Sequence, residues 1–528
     1  MFTVKKFINT IKYLQWKQIE YRIYYGVRAK IRKINGFSYP LSVPSRTADL
    51  KLQPGIPAYP SYEKENRFCF LNITYPFGEK IDWNYSDEGQ LWTFNLNYFD
   101  FINQEDISKE EALRLMYDFI DKIDTVSMKN GLSAYVISLR GMNWIKFMVR
   151  YGIKEKKIDD SLYAQYRILI DNLEYQFLAN HLLENGFSLL YAAYYFQDET
   201  FYAKAVEILK EQLPEQTLSD GGNFELSPMY HQIILGRVLD VVNLTKNNEG
   251  FDGKMFDFLK GYASKMLSWI EKITFSSGEI PLLNDSAFGV APTTAMLAEY
   301  AGSLEVTSAA LPLGASGYRK IEKPAYEMVV DVAEIGASYN PAHAHSDTFT
   351  FELYVHGKPL IVDTGTSTYD KNRRRHIERS TFSHNTVVVG EVNQSNVWSG
   401  FRVAERAHIV ELEERQEYIR AVHDGYEKQF GLLHERQFSM HEDTIEIIDR
   451  IIGSKEEKSA IARLHFHPDV NVELEGEELV ADGVRISFKG AQKVMLNFYR
   501  YAPEYHRLHQ AKVAEVEFDE QLVCRIVL

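Results

Sequence analysis

The hydrophobic pattern of this 528-residue chain changes its period once, and that change constrains the fold more than any other feature. From Gln104 to about residue 301, apolar residues recur at three- and four-residue spacing between short turns, which is typical of helices. A stretch rich in Ala, Gly, Ser and Pro follows at about 302–323. Beyond it apolar and polar residues alternate, which is typical of strands. An all-helical half followed by an all-strand half predicts two large domains, and clefts between domains commonly hold active sites.

The helical pattern predicts seven helices, at residues 105–125, 155–178, 186–196, 199–213, 228–244, 254–273 and 293–301. The alternating pattern predicts strands at residues 325–332, 348–355, 358–362, 385–389, 417–422, 432–440, 444–451, 460–467, 484–488, 494–498 and 521–527. Residues 34–90 are rich in Pro, Gly, Tyr and Ser without a sustained period, which indicates an ordered, loop-rich lead-in. We therefore assign an amphipathic helix and lead-in to residues 1–90, a helical domain to 91–310 and a β domain to 324–528.

Residues 4–33 are predicted to form a basic amphipathic helix, with nine Lys and Arg against a single Glu. Its apolar stripe runs through Phe7, Ile11, Leu14, Ile19, Ile23, Val27 and Ile31. Such a helix either docks on the body of the protein or lies on an anionic membrane surface. We favour docking, because the stripe is no more apolar than that of an ordinary core-facing helix.

Charge and composition exclude several classes of protein. The net charge of −14 argues against a nucleic-acid binder, because no domain-wide basic surplus is present to attract phosphate. Cys69 and Cys524 lie far apart in sequence, so the chain has neither a disulfide framework nor a cysteine zinc motif. No run approaches the roughly 18 apolar residues of a membrane span. Charged residues interrupt the N-terminal segment where a signal peptide would be apolar, so we expect a cytoplasmic protein, peripheral to a membrane if residues 4–33 bind one.

Histidine and aspartate residues are concentrated at 340–386. His343 and His345 lie two apart, Asp363 follows 18 residues after His345, and His384 follows 21 residues after Asp363. Two imidazoles and a carboxylate suit zinc or another divalent transition metal better than calcium, which prefers oxygen ligands. Alternation along an extended chain makes His343 and His345 point the same way, so one can bind a metal while the other stays free for proton transfer.

A predicted hairpin connects these residues. The strands at 348–355 and 358–362 flank a His-Gly pair, which is a two-residue turn signal. The hairpin would bring His345, before its first strand, close to Asp363, after its second. The alternative is that these are polar loop residues at the rim of a sheet.

Three dense polar groups stand out in the helical half. Arg140 and Asn143 lie three apart beside an aromatic residue, where they either bind a ligand or tie helices together. His181 and Glu184 have the same spacing and can hydrogen-bond, which would raise the basicity of the imidazole, although a histidine satisfied near a helix start explains the pattern equally well. Tyr230 falls in the first turn of a helix that begins Ser-Pro, where the helix dipole favours a phenolate. It is therefore a candidate acid or base, or else a packed tyrosine with an exposed hydroxyl.

Several motifs follow one another in a specific order between about residues 91 and 406. They are Asn-His-x-x-Glu-Asn from Asn180, Asp-Gly-Gly-x-x-Glu-x-Ser-Pro-x-Tyr-His from Asp220, His-x-His-x-Asp from His343, Asp-x-Gly-x-x-x-Tyr from Asp363 and Arg-Ser-Thr-x-x-His-Asn-Thr from Arg379. In this order they resemble the heparinase II/III family of polysaccharide lyases. The resemblance implies an (α/α) toroid of helical hairpins followed by an antiparallel β-sandwich, and β-elimination of a uronic-acid-containing polysaccharide.

The resemblance also implies roles for individual residues. His345, Asp363 and His384 match the family's structural zinc ligands, so a structural Zn²⁺ is expected in the β domain. Tyr230 matches its catalytic tyrosine, and His343 matches the histidine beside that tyrosine in the cleft. The C5 proton of a uronate must be removed by a base and the departing O4 protonated by an acid, and these two residues are the expected pair, with Tyr230 able to serve both steps.

The substrate carboxylate must be neutralised before the C5 proton becomes acidic enough to leave. His181 and Glu184 match a His/Glu pair in one branch of the family, whereas another branch uses an asparagine, so Asn180 competes with His181 for this role. Arg140 could assist from nearby. We count all four among the expected site residues.

A net-acidic lyase needs local basic or polar groups to bind a polyanion. The Arg-rich run that begins at Arg373 provides such a patch, and Arg379 beside the Ser-Thr motif is its expected functional member. Asn143 and Tyr369 complete the predicted substrate-binding residues.

The predicted function is therefore β-elimination of an acidic polysaccharide by a zinc-stabilised lyase. One alternative is a non-catalytic glycan-binding or surface-polysaccharide assembly protein that keeps the lyase fold. Another is an oxygenase or hydrolase that uses the two-His, one-carboxylate cluster directly, which requires open coordination positions beside the substrate. The sequence leaves the uronic acid, the linkage and the oligomeric state open.

Overall fold

Helices fill the first part of the chain and strands fill the second. The computed structural model describes residues 2–125, 128–251, 253–453 and 459–528. Helices continue as far as Ser303, and from Tyr318 onward strands predominate. The architecture is an (α/α) toroid of helical hairpins followed by an antiparallel β-sandwich, so the predicted fold class is confirmed. The three predicted domain boundaries stay predictions.

Neighbouring helices of the first part pack in pairs. The helices are α1 (Phe2–Ile11), α2 (Trp16–Ile34), α3 (Gln90–Tyr98), α4 (Lys109–Lys122), α5 (Ala134–Tyr151), α6 (Lys156–Asp171), α7 (Ala179–Phe196), α8 (Glu199–Gln216), α9 (Pro228–Asn247), α10 (Lys254–Ile273) and α11 (Thr294–Ser303). Because only two residues join α7 to α8, these helices run antiparallel and pack along their length, and α9 packs on α10 in the same way. Asp198 caps α8 by accepting hydrogen bonds from the amides of Thr200 and Phe201.

One long helix, α5, was not predicted. Its residues from Val136 to Ile145 are all buried, the polar Ser138, Arg140 and Asn143 among them. A helix that is buried on every side has no polar face, so its sequence carries no helical period.

The second part is built from two large antiparallel sheets and a two-stranded one formed by the chain's eighth and ninth strands. A hairpin in the lead-in supplies β1 (Arg67–Phe70) and β2 (Ile73–Pro76), and the smaller sheet has the order β3 (Tyr318–Glu322), β4 (Tyr326–Asp331), β5 (Phe351–Val355) and β6 (Lys358–Ile361). The remaining elements are α12 (Arg373–Glu378), β7 (Val387–Val389), β8 (Val397–Trp398), β9 (Arg402–Val403), β10 (Ile409–Arg415), β11 (Tyr418–His423), α13 (Glu427–Phe430), β12 (Leu432–Met440), β13 (Thr444–Gly453), β14 (Ala460–His465), β15 (Val472–Glu475), β16 (Glu478–Ala481), β17 (Val484–Glu504) and β18 (Arg507–Val527). The larger sheet has the order β10-β11-β12-β13-β18-β17-β16-β15, with β14 paired to β18 and β7.

The two sheets share one apolar core. Phe351 and Leu353 of β5 are buried against the larger sheet, and the ring of Phe351 meets Phe438 of β12 edge to face at 6.0 Å. Burial of such facing side chains holds the sandwich together.

Two predicted strands, 484–488 and 494–498, prove to be one. They belong to the 21-residue strand β17, which pairs with β18 along its length and has register shifts near Gly490. The glycine has a φ of 90°, a conformation that disfavours other residues, and a bulge there breaks the alternation on which the prediction depended.

The predicted hairpin at the centre of the β part is confirmed. Val355 of β5 pairs with Lys358 of β6 across a turn in which His356 and Gly357 have φ values of 49° and 73°. Two positive φ angles are the signature of a tight hairpin turn whose twist matches that of the strands.

The two N-terminal helices dock in an orientation that the sequence did not predict. The favoured docking on the body is confirmed by contacts of α2 with the segment before α7. Only Leu14 and Ile19 of the apolar stripe are half-buried. Its other members are exposed, so the stripe as a whole does not pack against the core: Phe7, Ile11, Ile23, Val27 and Ile31. The helices are held by their polar and tyrosine side chains instead. Among the described residues, no helix is long and apolar enough to span a membrane, and the cytoplasmic location stays a prediction.

Candidate active site

A cavity of about 1120 Å³ lies where the helical part meets the β part. Its walls come from α1 and α2, from the starts of α7 and α9, and from the loops at 339–343 and 368–371. Of the twelve predicted site residues, Asn180, His181, Tyr230, His343 and Tyr369 line it.

The start of α9 fixes the position of Tyr230. Pro228 occupies the first helical position, and the Ser227 hydroxyl accepts a hydrogen bond from the Tyr230 amide at 3.2 Å, as the sequence predicted. The same hydroxyl donates to the carbonyl of Asp285 at 2.7 Å, which ties the helix start to a neighbouring loop. Burial, with the nearby Tyr505 next, raises the pKa of Tyr230 well above its ordinary value. The phenolate favoured by the helix-dipole argument is therefore not the resting form, because burial disfavours the charge.

The imidazole of His343 stacks on the ring of Tyr230, with centroids 3.8 Å apart and planes 28° apart. Its Nδ1 lies 3.0 Å from Oδ2 of Asp285, and because a carboxylate only accepts, Nδ1 carries the proton. In the neutral ring Nε2 then has a free lone pair. That atom lies 3.9 Å from a carboxylate oxygen of Glu225.

Asp285 organises the site, and sequence reasoning missed it. Its carboxylate contacts Nδ1 of His343, Nε2 of His345 at 2.8 Å and both terminal nitrogens of Arg375. Burial would raise the pKa of Asp285, but Arg375 and the two histidines lower it well below its ordinary value. Both histidines point at one carboxylate, so the predicted common orientation of His343 and His345 is confirmed. Asp285 lies 58 residues before His343 in a loop without a recognisable motif, so only the fold reveals it.

The hydroxyl of Tyr369 connects the two central residues. It donates to the Tyr230 hydroxyl at 3.2 Å and lies 3.4 Å from Nδ1 of His343. Tyr369 therefore lines the cavity beside the expected acid/base pair.

A second polar group, at the start of α7, lines the same cavity. The side-chain amide of Asn180 donates to Glu225 at 3.1 Å, while its carbonyl oxygen is buried without a hydrogen-bond partner. Nδ1 of His181 pairs with Glu174 at 3.2 Å. Burial lowers the pKa of His181, but Glu174, with Glu225 and Glu184 next, raises it, and the net shift is upward.

The predicted hydrogen bond between His181 and Glu184 is wrong. Glu184 is fully buried, and its Oε1 lies 3.4 Å from Nε of Arg237. Spacing allows an i, i+3 contact but does not exclude a better partner on another helix. Glu184 does not line the cavity.

Two family models match consecutive parts of the chain. Residues 160–309 match the model described as "Heparinase II/III N-terminus", and residues 306–523 match "Heparinase II/III-like, C-terminal". This chain belongs to the heparinase II/III family.

Individual relatives of this family member are distant. A heparin-sulfate lyase of Bacteroides stercoris is 24% identical over 252 residues, which cover 42% of this chain and 37% of the relative. The chain therefore matches little more than a third of that curated relative's length. A solved structure of heparinase III superposes with a TM-score of 0.63 at 16% identity, covering 86% of this chain and 80% of the other. Heparan sulfate lyase HepC from Pedobacter heparinus, solved as a mutant, superposes with a TM-score of 0.57 at 17% identity, covering 88% and 81%. At such identities these structures show the fold alone.

The predicted ligand-binding roles of Arg140 and Asn143 are wrong. Arg140 is fully buried and donates to Gln165 at 2.8 Å and to two main-chain carbonyls. Asn143 donates to the carbonyl of Tyr98 and to Asp100. Both residues tie helices together, which is the alternative left open by their sequence.

The predicted basic patch does not exist either. Arg379 is buried and donates from Nε and Nη2 to the carbonyl of Ala344, so it holds the segment between the two histidines and does not reach the cavity. Arg375 is buried against Asp285, and Nε of Arg374 donates to Glu378 at 2.6 Å. Consecutive arginines point in different directions on a short helix, so a run in the sequence does not make a patch.

Besides Lys371, two arginines reach the cavity. Arg22 of α2 and Arg402 of β9 line it, and neither forms an ion pair with a carboxylate in the described part of the chain. Burial, followed by the charge of Arg402, lowers the pKa of Arg22. Two guanidinium groups close enough to destabilise each other attract an anion. No motif marked either residue as a ligand-binding group.

The three predicted metal ligands lie near one another in the core of the β part. His345, Asp363 and His384 are fully buried, and the two imidazole rings have centroids 5.3 Å apart. Nδ1 of His384 pairs with Asp363 at 2.7 Å. Over the described ranges, no three His, Cys, Asp or Glu side chains converge as a ready metal site.

Two imidazole nitrogens in this cluster are nevertheless available as metal ligands. Nδ1 of His345 and Nε2 of His384 are buried without a hydrogen-bond partner. A buried polar atom left unpaired costs about 1–3 kcal/mol, and such atoms generally have a partner. Burial lowers the pKa of His345 to about 4, which keeps the imidazole in the neutral form that binds metals.

Proposed function

We propose that this protein is a polysaccharide lyase that cleaves a uronic-acid-containing glycan by β-elimination. The observation that carries the proposal is the stacked pair of Tyr230 and His343, which together with Asn180 lines a cavity large enough for several sugar rings. Membership of the heparinase II/III family and the similarity to a heparin-sulfate lyase support it.

The substrate carboxylate would be received by Asn180 and His181. The side-chain amide of Asn180 donates a hydrogen bond, and the raised pKa of His181 favours the charged imidazolium, which would neutralise the carboxylate. Both groups stabilise the enolate-like dianion that forms when the C5 proton leaves. Their effect is larger in the transition state than in the bound substrate, which is what lowers the barrier.

His343 and Tyr230 would move the protons. Because Asp285 holds the proton of His343 on Nδ1, Nε2 can accept the C5 proton of the substrate. Tyr230 is a phenol at rest and can donate its proton to the departing O4, so that the C4–O4 bond breaks as the C4–C5 double bond forms. The alternative is that Tyr230 serves both steps after losing its own proton.

The test is eliminative cleavage itself. The purified chain is incubated with heparan sulfate, hyaluronan, alginate and galacturonan, and the products are followed by ultraviolet absorbance and mass spectrometry. A lyase yields an unsaturated uronate at the new non-reducing end, whereas a hydrolase adds water across the bond. Products carrying the added water would refute elimination, and no cleavage of any of the four glycans would favour the non-catalytic glycan-binding alternative.

The oxygenase or hydrolase alternative is less well supported. It requires substrate beside His345, Asp363 and His384, but these side chains are fully buried and lie outside the cavity lining.

Arg22 and Arg402 are proposed to bind an acidic group of the glycan away from the bond that breaks. We expect Arg402→Gln to raise KM by about 10-fold with little change in kcat, because the lost contact stabilises bound substrate and transition state alike. Arg415→Gln, on an exposed arginine of β10, is the matched control and should leave both constants unchanged. A fall in kcat with unchanged KM for Arg402→Gln would contradict the assignment.

A structural Zn²⁺ held by His345, Asp363 and His384 is a further part of the proposal. The two unpaired imidazole nitrogens support it, and a metal would provide structural stabilisation of the core beneath the His343 segment.

We expect about one zinc per purified chain by elemental analysis, and a lower Tm after prolonged treatment with a strong chelator. His384→Ala should lose both the metal and the response to chelator. His423→Ala is the control, because His423 is also buried in the β part but pairs with His434, so this variant should lose stability and keep its zinc. The proposed zinc site would be contradicted if the purified wild-type protein contained no metal and its Tm changed neither with chelator nor with added zinc.

A further inference from the structure

Helix α2 is attached to the protein by its polar side. Gln18 donates to the carbonyl of Phe177 at 3.1 Å, and Tyr25 donates to that of Leu173 at 2.5 Å. Arg28 and Arg32 both pair with Asp171, at 3.0 and 2.6 Å. Polar and aromatic groups thus occupy the face that an ordinary surface helix would fill with aliphatic residues.

The opposite side of α2 is apolar and exposed. Five large apolar residues, from Trp16 to Ile34, follow one another at spacings of seven, four, four and three positions. These spacings place them in one stripe along the whole helix, which is about 28 Å long. Between 52% and 83% of each is exposed, and the stripe consists of Trp16, Ile23, Val27, Ile31 and Ile34. A contiguous apolar patch of this size is uncommon on a monomer's surface and marks an interaction site.

The same segment carries positive charge in an acidic protein. Residues 4–33 contain nine Lys and Arg and one Glu, whereas the whole chain has a net charge of −14. Lys12, Lys30 and Lys33 are exposed along α2 or just before it, and Glu20 is the single acid. An apolar stripe flanked by cations is complementary to a surface that is apolar inside and anionic outside.

We propose that α2 docks this protein on an anionic lipid bilayer, with its apolar stripe inserted at the level of the lipid headgroups. Trp16 and Tyr24 are exposed on this side, and such rings are enriched at the membrane interface. A second copy of the chain fits less well, because a symmetric contact would place two cationic helices against each other. Docking positions the bilayer beside the cavity, since Ile19 and Arg22 of the same helix line it and Ile23 of the stripe stands at its edge, exposed and lining it as well.

The test uses the full-length protein and two kinds of vesicle, one of phosphatidylcholine alone and one containing phosphatidylglycerol as well. The wild type should co-sediment with the anionic vesicles and far less with the neutral ones, and salt should weaken the binding. The triple variant Ile23→Glu, Val27→Glu, Ile31→Glu should bind at least about 10-fold more weakly, because charges replace the inserted side chains. Lys30→Glu with Lys33→Glu should reduce binding to anionic vesicles specifically.

Val410→Glu with Leu412→Glu provides the matched control, because these apolar residues are similarly exposed but lie on β10. This variant should bind vesicles as the wild type does, and circular dichroism should show that every variant is folded. Failure of the wild type to bind anionic vesicles, or equal binding by the triple variant, would overturn the proposal. A wild-type dimer in light scattering that the triple variant converts to a monomer would assign the stripe to a second copy instead. None of these results depends on lyase activity.

Discussion

Asp285→Asn is expected to lower the stability of the fold by about 3–5 kcal/mol and the kcat of the remaining folded protein by at least about 100-fold. The carboxylate is the only acidic partner of the buried Arg375 among the described residues, so its loss leaves a positive charge unpaired in the core. The substituted amide also no longer holds the proton of His343 on Nδ1. Equilibrium urea unfolding measures the first effect, and turnover per folded molecule measures the second.

The effect on stability depends on pH. Because the pKa of Asp285 is lowered in the folded protein, its contribution is present above its unfolded pKa of about 4 and is lost as the pH falls below that value. The asparagine variant should therefore lack this part of the wild-type pH dependence.

A second buried Asp–Arg–His group supplies the control. Asp449 pairs with Arg436 at 2.7 Å and with His434 at 2.8 Å, and it does not line the cavity. Asp449→Asn should cost similar stability and leave turnover per folded molecule unchanged. If both variants lose turnover equally, Asp285 acts only on stability and does not position His343.

Tyr230→Phe is expected to lower kcat by about 1000-fold with little change in KM, because the variant keeps the shape of the cavity and loses only the proton of the phenol. Steady-state rates of unsaturated product formation measure this effect. Tyr369→Phe should lower kcat by about 10-fold only. Tyr369 contacts both Tyr230 and His343 and is expected to orient them, but it does not itself transfer a proton.

Hydrogen exchange in deuterated solvent distinguishes whether His343 or Tyr230 is the base that removes the C5 proton. If His343 removes the C5 proton, Tyr230→Phe should still exchange that proton into deuterated solvent without cleaving the glycan. If Tyr230 serves both steps, exchange and cleavage should be lost together. Tyr135→Phe is the control, because Tyr135 lines the same cavity against the ring of His181, and it should change kcat by less than about 10-fold.

Local chemistry explains which site residues could be predicted. The Ser-Pro start of α9 fixes Tyr230 within one helical turn, and a two-residue step fixes the common direction of His343 and His345. The hairpin turn at His356 likewise follows from two adjacent residues. Each of these features depends on backbone geometry over a few positions, which the sequence encodes directly.

Residues whose surroundings come from distant segments could not be predicted. Arg140, Arg379 and Glu184 have the charge expected of ligand-binding groups, yet each is buried against partners that the fold alone supplies. Burial rather than charge decided their roles, because a buried charge must pair with whatever group lies nearest.

The sequence by itself determined the order of a helical and a β part, the family and the local geometry around Tyr230 and His343. Only the tertiary structure decided that Asp285 joins both histidines to Arg375, and that α2 leaves Val27, Ile31 and Ile34 exposed. The physical reason is that periodicity records which residues share a face of a helix or strand. It does not record what that face meets, since long-range contacts determine burial and pairing.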